Sequence, residues 1–171
     1  MLKYRNITVD TFIEEARTWI GTSFHHQGRL KKTENHKGGV DCLGLVMGTL
    51  RDLCMQSLYR DSDGKRIPFI DFDEVNYSHS PNGNHLVFKV EEHLLQTSAK
   101  DLKHGDMILL KVLGTPQHIG IIVDTPDGLF ILHSIMSARK VNEVPLTNEW
   151  LTNAHCMYRF RPEHFIIEEY E

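Results

Sequence analysis

Beyond residue 100 the hydrophobic rhythm of the chain changes, and that change limits the fold more than any other feature of the sequence. The runs "MILLKVL", "HIGIIVD", "GLFILHS" and "MYRFRP" are short, rich in β-branched and aromatic residues, and divided by Gly, Pro and Asp, which is how antiparallel strands read. Upstream the apolar residues recur at helical spacing instead. Val9, Phe12, Ile13, Ala16, Trp19 and Ile20 predict a first helix ending near Gly21, with Thr11 and Glu14 spaced as a capping box. Cys42, Leu43, Leu45, Val46, Leu50, Leu53 and Cys54 predict a second helix, apolar on most sides and therefore central and buried. A third follows from Asn84, with Leu86, Val87, Val90, Leu94 and Leu95 on one side. Residues 56–83 between them are rich in turn formers, show no period, and read as an irregular insertion. Helices first and strands afterwards give an α+β domain, N-terminal helices on a central antiparallel sheet, rather than alternating βαβ units. At 171 residues the whole chain, 1–171, fits one domain.

Charge narrows the partners. The chain carries 19 basic and 23 acidic side chains, a formal charge of −4, and no long run of one sign, so a nucleic-acid partner is not expected. One basic cluster, Arg29, Lys31, Lys32 and Lys37, lies in a polar stretch that reads either as a solvated loop or as a contact to an anionic polymer. The N-terminal "MLKYRNITVD" lacks an apolar core segment, and no run approaches the roughly 20 apolar residues of a membrane span. These features predict a chain made in the cytoplasm without membrane insertion. The 11 histidines include no pair at zinc-site spacing, so neither a metal nor another cofactor is expected. Trp19, Phe72, Tyr77 and Trp150 read as core by default and as groove-lining residues otherwise. The acidic end "IIEEYE" reads as a short solvated tail.

Three cysteines, Cys42, Cys54 and Cys156, form no C-x-x-C pair and leave at least one thiol unpaired. Cys54 inside the second helix and Cys156 before a strand read as core or incidental. Cys42 differs, because Asp41 and Cys42 fall where the second helix begins, and the free amides and dipole of a helix start favour a thiolate. Gly38 and Gly39 let the preceding backbone turn sharply. A cysteine heading an apolar helix can equally be a small buried hydrophobe. A nucleophilic thiol also needs a base and a group to orient it. In "QHIGIIVDTPDGLFILHS" His118 opens one strand and His133 closes the next, around a "TPDG" turn. If Thr125 pairs with Gly128, His118 falls opposite Ile135, and His133 lies two places along on the same face. A bulge at Gly128 would flip one of them away. Without the cysteine, each histidine reads as a satisfied core residue.

The order "GGVDCLGL", "KHGDMILLKVLGTPQHIGIIVD" and "GLFILHS", with "WIGTSFHHQG" upstream, resembles the NlpC/P60 family of cell-wall cysteine peptidases, small papain-like domains. The "HHQG" and "DCLGL" wording resembles its phage-tail and gene-transfer-agent branch. The resemblance implies Cys42 as nucleophile, His118 as general base, His133 as the residue orienting that base, and the Cys42 amide as an oxyanion donor. It implies peptidoglycan stem peptides as substrate, often cut between γ-D-glutamate and a diamino acid, and delivery to the wall by a tail-like particle or by lysis. Phe24 stands where many members carry a tyrosine, which leaves His25, His26 or Gln27 to supply a donor, Gln27 by preference. Leu43 replaces the small hydroxyl residue that often follows the cysteine, and Asp41 is either a binder of the substrate amine or a helix cap. A thiol acyltransferase or deamidase and a non-catalytic assembly module are the other readings of the same residues.

Overall fold

The computed structural model describes residues 1–74 and 84–171. Strand β1 (Leu2–Asn6) and helix α1 (Val9–Arg17) precede two short strands, β2 (Arg29–Leu30) and β3 (Gly39–Val40), and helix α2 (Cys42–Asp52). Strands β4 (Gln56–Arg60) and β5 (Arg66–Pro68), helix α3 (Asn84–His93) and strand β6 (Leu95–Thr97) follow. The second half holds β7 (Met107–Val112), β8 (Thr115–Thr125), β9 (Gly128–Ile135) and β10 (Lys140–Pro145), then α4 (Asn148–Thr152), β11 (Ala154–Arg159) and β12 (Ile166–Tyr170).

Six strands form the central sheet in the order β10-β9-β8-β7-β11-β6, and every neighbouring pair is antiparallel. One face, carrying Met107, Leu109, Ile119, Ile121, Val123, Leu132 and Val141, packs against apolar residues of α1, α2 and α3. The other face, with Ile108, Leu110, Ile122 and Ile131, is covered by Trp150, Leu146 and Leu151 around α4. Burial on both sides explains why "MILL" and "IGIIV" are continuous apolar runs rather than alternating ones. The α+β architecture expected from the sequence is the one that folds.

Helix α2 is the central element, with Gly44 to Leu50 all buried. Gly48 lets it approach α1's end, since a Cβ there would lie 2.4 Å from the Trp19 ring, well inside van der Waals contact. Trp19 itself is core.

Several local expectations change. Helix α1 is capped by Thr8, whose hydroxyl accepts from the Thr11 amide at 3.0 Å, rather than by a Thr11/Glu14 box. It ends at Arg17 and continues as tight turns to Gly21, which takes a positive φ. Helix α2 stops at Asp52, leaving Cys54 exposed beyond it, while Cys156 lies within β11. Helix α3 stops at His93 and Leu95 opens β6. The first part of the expected irregular insertion is a regular hairpin, β4 with β5, whose turn is held by Asp61 accepting from the amides of Asp63 and Lys65 at 2.9 Å. Tyr77 and the rest of 75–83 lie outside the described residues.

The acidic terminus is not a solvated tail: β12 pairs with β1 over its whole length. Gln56 clamps its backbone, accepting from the Glu168 amide and donating to the Glu168 carbonyl, both at 2.8 Å. The buried Glu168 carboxylate is met by Arg60 at 2.9 Å and Arg66 at 3.4 Å.

Candidate active site

The start of α2 fixes the thiol. Asp41 is the N-cap, its Oδ1 accepting from the Gly44 amide at 2.8 Å, so Cys42 becomes the first helical residue. Asp41 is buried and further engaged: Oδ2 accepts from the Gln27 amide at 2.8 Å and Oδ1 from Arg29 Nη1 at 3.0 Å. The geometry therefore shows Asp41 as a cap. Arg29 uses its whole donor fork, with Nε and Nη2 on the two Asp73 oxygens at 2.8 and 3.0 Å and the remaining bonds on the carbonyls of Gly28 and Glu74. Of the basic cluster, Arg29 is thus enclosed in a carboxylate network, and Lys31 binds the Thr18 hydroxyl beside Glu15. Neither belongs to a free basic patch.

The hairpin of β8 and β9 brings the two histidines together. Its register runs from Thr125 opposite Gly128 to Ile121 opposite Leu132, without a bulge at the turn, as the sequence required. His118 Nε2 and His133 Nδ1 are hydrogen-bonded at 2.8 Å, and both rings are buried. The glycine of "HIGI" has a steric reason. A Cβ on Gly120 would lie 2.5 Å from Ile131 Cδ1 and 3.6 Å from His133 Cβ, so only glycine leaves room between the strands.

The β8–β9 ladder ends at Ile121 and Leu132, and the Cys42 sulfur meets β8 beyond that point. Sγ lies 3.9 Å from the Gln117 carbonyl oxygen and receives the Ile119 amide, the two residues flanking His118. Gln117 is the extra residue of a bulge against β7, where His118 pairs with Leu110 but Pro116 with Lys111. Ser134 ties β9 to this region, donating from Oγ to the Val40 carbonyl at 2.7 Å. The loop through Phe24 and Gln27 runs alongside: Phe24 bridges Val40, the His25 amide donates to the Val40 carbonyl at 3.1 Å, and Gln27 takes a positive φ. Phe24, Gln27, Asp41 and Cys42 therefore share one loop cluster, next to the strand that carries His118.

The surroundings of the sulfur favour the thiol over the thiolate expected at a helix start. Burial, and then the Asp41 carboxylate, push the Cys42 thiol up to about 12, outweighing the amides of Ile119, Leu43 and Cys42 that favour the anion. The helix start does point its amides at sulfur, but the residue that caps the helix is itself an anion. Burial lowers His118 to about 3, helped by the neighbouring His133. Burial likewise lowers His133 to about 4, against a hydrogen-bonding contribution from Asn142. The resting site is a neutral thiol beside two neutral imidazoles.

His164, also buried, is lowered to about 4 by desolvation first. With His93, which burial also lowers, four histidines whose folded pKa lies below the ordinary 6.5 mean that the unfolded chain binds more protons in acid. Stability is then complete above about pH 6.5 and falls below it, by up to about 1.4 kcal/mol per pH unit for each such histidine. Urea unfolding at pH 7, 6 and 5 is expected to show a falling midpoint; a midpoint that rises toward pH 5 would contradict the neutral rings.

Asn142 and Arg29 are the residues the sequence reading did not connect to the site. Asn142 sits opposite His133 on β10, and the only signal for that strand was the short alternation "KVNEV". Trp150 packs edge-on against His133, with centroids 5.2 Å apart, so it belongs to the core around the site, and Phe72 packs on the rings of Tyr59 and His93. Among the described residues no group of three His, Cys, Asp or Glu side chains could hold a metal ion, and no helix is long and apolar enough to cross a membrane.

A helix-borne thiol set against the main chain on either side of a strand-borne histidine lies here on an antiparallel sheet flanked by helices. The NlpC/P60 family pattern matches residues 21–159, and the chain belongs to that family. It is similar in fold to an NlpC/P60 family protein from Bacillus cereus, with 18% identity and a TM-score of 0.57 over 91% of this chain and 41% of that one. The NlpC/p60 domain of the peptidoglycan hydrolase SagA matches at 16% identity and a TM-score of 0.51, covering 90% of this chain and 100% of that domain. An N-acetylmuramoyl-L-alanine amidase from Bacteroides uniformis matches at 15% identity and 0.50, covering 95% and 99%. This chain thus spans under half of the Bacillus cereus protein but nearly all of the other two. No curated protein matches it.

Proposed function

We propose that this chain is a cysteine endopeptidase that hydrolyses peptidoglycan stem peptides, at the γ-D-glutamyl–diamino acid bond, and that it reaches the wall with a phage-tail-like particle or on lysis. The observation that carries the reading is the meeting of Cys42 with the backbone on both sides of His118, whose Nε2 is already committed to His133. Membership of the NlpC/P60 family, and likeness to the domain of the peptidoglycan hydrolase SagA and to the Bacteroides uniformis amidase, favour a cell-wall substrate.

In this reading His118 keeps Nδ1 for the thiol. As sulfur attacks the scissile carbonyl carbon, the S–H proton passes to Nδ1 and the carbonyl oxygen takes the negative charge, opposite the Cys42 amide and a donor from Gln27. Collapse breaks the C–N bond, and the proton on Nδ1 goes to the leaving amine. Water, deprotonated by His118, then cleaves the thioester and restores the thiol. The neutral resting pair makes proton transfer part of the attack rather than a step before it. Phe24, bridged to Val40 in the same loop, is the candidate to contact the substrate's acyl portion, and Asp41 acts on substrate through the position it gives Cys42.

Digestion of purified muropeptides, with the new termini identified by mass spectrometry, tests this. The expected product is a free amine on the diamino acid together with a new carboxylate. Products that appear only when an added amine accepts the acyl group would replace hydrolysis by transfer. No product from any chemotype would leave an assembly role and reject the enzyme.

A further inference from the structure

One carbonyl oxygen joins the loop, the helix start and the strand that make up the site. The Val40 oxygen accepts from the Ser134 hydroxyl at 2.7 Å and from the His25 amide at 3.1 Å, and Val40 stands two residues before Cys42. Ser134 directly follows His133 in β9. We infer that Ser134 is a positioning residue for the proposed reaction: its hydroxyl fixes the strand that carries His133, and through His133 the ring of His118, against the turn that presents the Cys42 sulfur. This role rests on the Cys42–His118–His133 reading and supplies the contact that keeps its two halves in register.

Such a contact is needed because the sheet stops providing one. The β8–β9 ladder ends where Ile121 faces Leu132, and from there His133, Ser134 and Ile135 pair with β10. Past that point His118 and His133 meet through their rings, at 2.8 Å, rather than through the ladder. Successive residues of a strand point to opposite sides. Here His133 faces His118 and Trp150, while Ser134 faces Val40. A slide or rotation of this end of β9 therefore cannot move the imidazole without stretching the hydroxyl's bond. Ser134 and Val40 are both fully buried, so water does not compete for that bond.

The neighbourhood is otherwise held by the main chain. The Gly21 amide donates to the Val141 carbonyl at 3.0 Å, the Val141 amide to the Thr22 carbonyl at 2.9 Å and the Phe24 amide to the Arg139 carbonyl at 2.9 Å, which fastens the sheet edge to the loop ahead of β2. The Val40 amide donates to the Ser23 carbonyl at 2.9 Å. These bonds survive removal of the hydroxyl. The Val40 carbonyl also keeps the His25 amide, so Ser134→Ala strands no buried acceptor and the fold should stand. What the variant loses is the hydrogen bond that ties β9 itself to the segment leading into α2.

Alkylation of Cys42 by iodoacetamide on the full chain, followed on the Cys42 peptide by mass spectrometry, tests this beside muropeptide turnover. Ser134→Ala is expected to slow alkylation and to lower kcat at least about 10-fold with KM and the urea midpoint held, since displacing a catalytic group by about 1 Å can cost on the order of 100-fold. In a His118→Ala background the same substitution is expected to change alkylation by less than about 2-fold, because a residue that acts through the base has nothing to position once the base is gone. A similar loss in both backgrounds overturns the inference, as does a fall in turnover matched by partial unfolding at the assay temperature. If His118→Ala itself alkylates and hydrolyses at the wild-type rate, it is the underlying reading of the site that fails; if His118→Ala is slow while Ser134→Ala keeps the wild-type rates, only the role of Ser134 falls.

Discussion

Cys42→Ala is expected to hydrolyse muropeptides at least about 10⁴-fold more slowly than the wild type, and His118→Ala to lose a similar factor. On the proposed mechanism nucleophile and base act as one unit: without the sulfur there is nothing to deprotonate, and without the base the thiol stays protonated, because its surroundings push it up to about 12. The two losses should therefore not add, and the double variant should be no slower than either single one. This distinguishes a working pair from two residues that merely help the fold, whose effects at separate contacts would accumulate. Alkylation gives a second view. Reaction at Cys42 assisted by His118 should be nearly flat from pH 5 to 8, since that ring is neutral throughout the range. A Cys42 rate that climbs steeply with pH across this range, or one unchanged in His118→Ala, would sink the assisted pathway.

The largest stability effect is expected at Arg29. Arg29→Met keeps the length of the side chain and removes its charge, which leaves the buried Asp41 carboxylate and the largely buried Asp73 carboxylate without their shared cation. Breaking such a pair from one side costs about 3–5 kcal/mol. For a chain of this size that corresponds to a melting temperature lower by roughly 6–20 °C. Arg29→Lys should recover only a minor part, because a single ammonium cannot reproduce the fork that holds both Asp73 oxygens and Asp41. Adding Asp73→Asn to Arg29→Met should restore stability by removing one stranded charge. Calorimetry on the three variants checks this, and a loss below about 1 kcal/mol for Arg29→Met would refute the network. Activity should fall with stability, since Asp41 sets the helix start that presents Cys42.

Much of this arrangement was readable before any coordinates. The switch from helical to strand periodicity near residue 100, the buried second helix and the hairpin register around Thr125 and Gly128 all follow from local patterns, and the histidine pair follows from that register. What escaped depends on distance along the chain or on burial. The pairing of β1 with β12 joins residues more than 150 positions apart, and no local signal in "IIEEYE" reveals that Arg60 and Arg66 cover Glu168. Arg29 looked like part of a solvated cluster because sequence spacing could not show Asp73 folding back onto it. The environment of Cys42 escaped for a related reason: the amides of the helix start are visible in the sequence, while the desolvation of sulfur and the negative charge of the cap, which both favour the neutral thiol, depend on packing.

The sulfur's nearest supports on β8 are a carbonyl and an amide of the main chain, at 117 and 119. Nearly every substitution leaves such groups in place, and among the twenty amino acids only proline at 119 would delete the donor. A cradle of this kind is inherited with the topology rather than with particular letters. It leaves side chains around the thiol free to drift, which fits a chain that shares fewer than one residue in five with the solved structures whose shape it keeps.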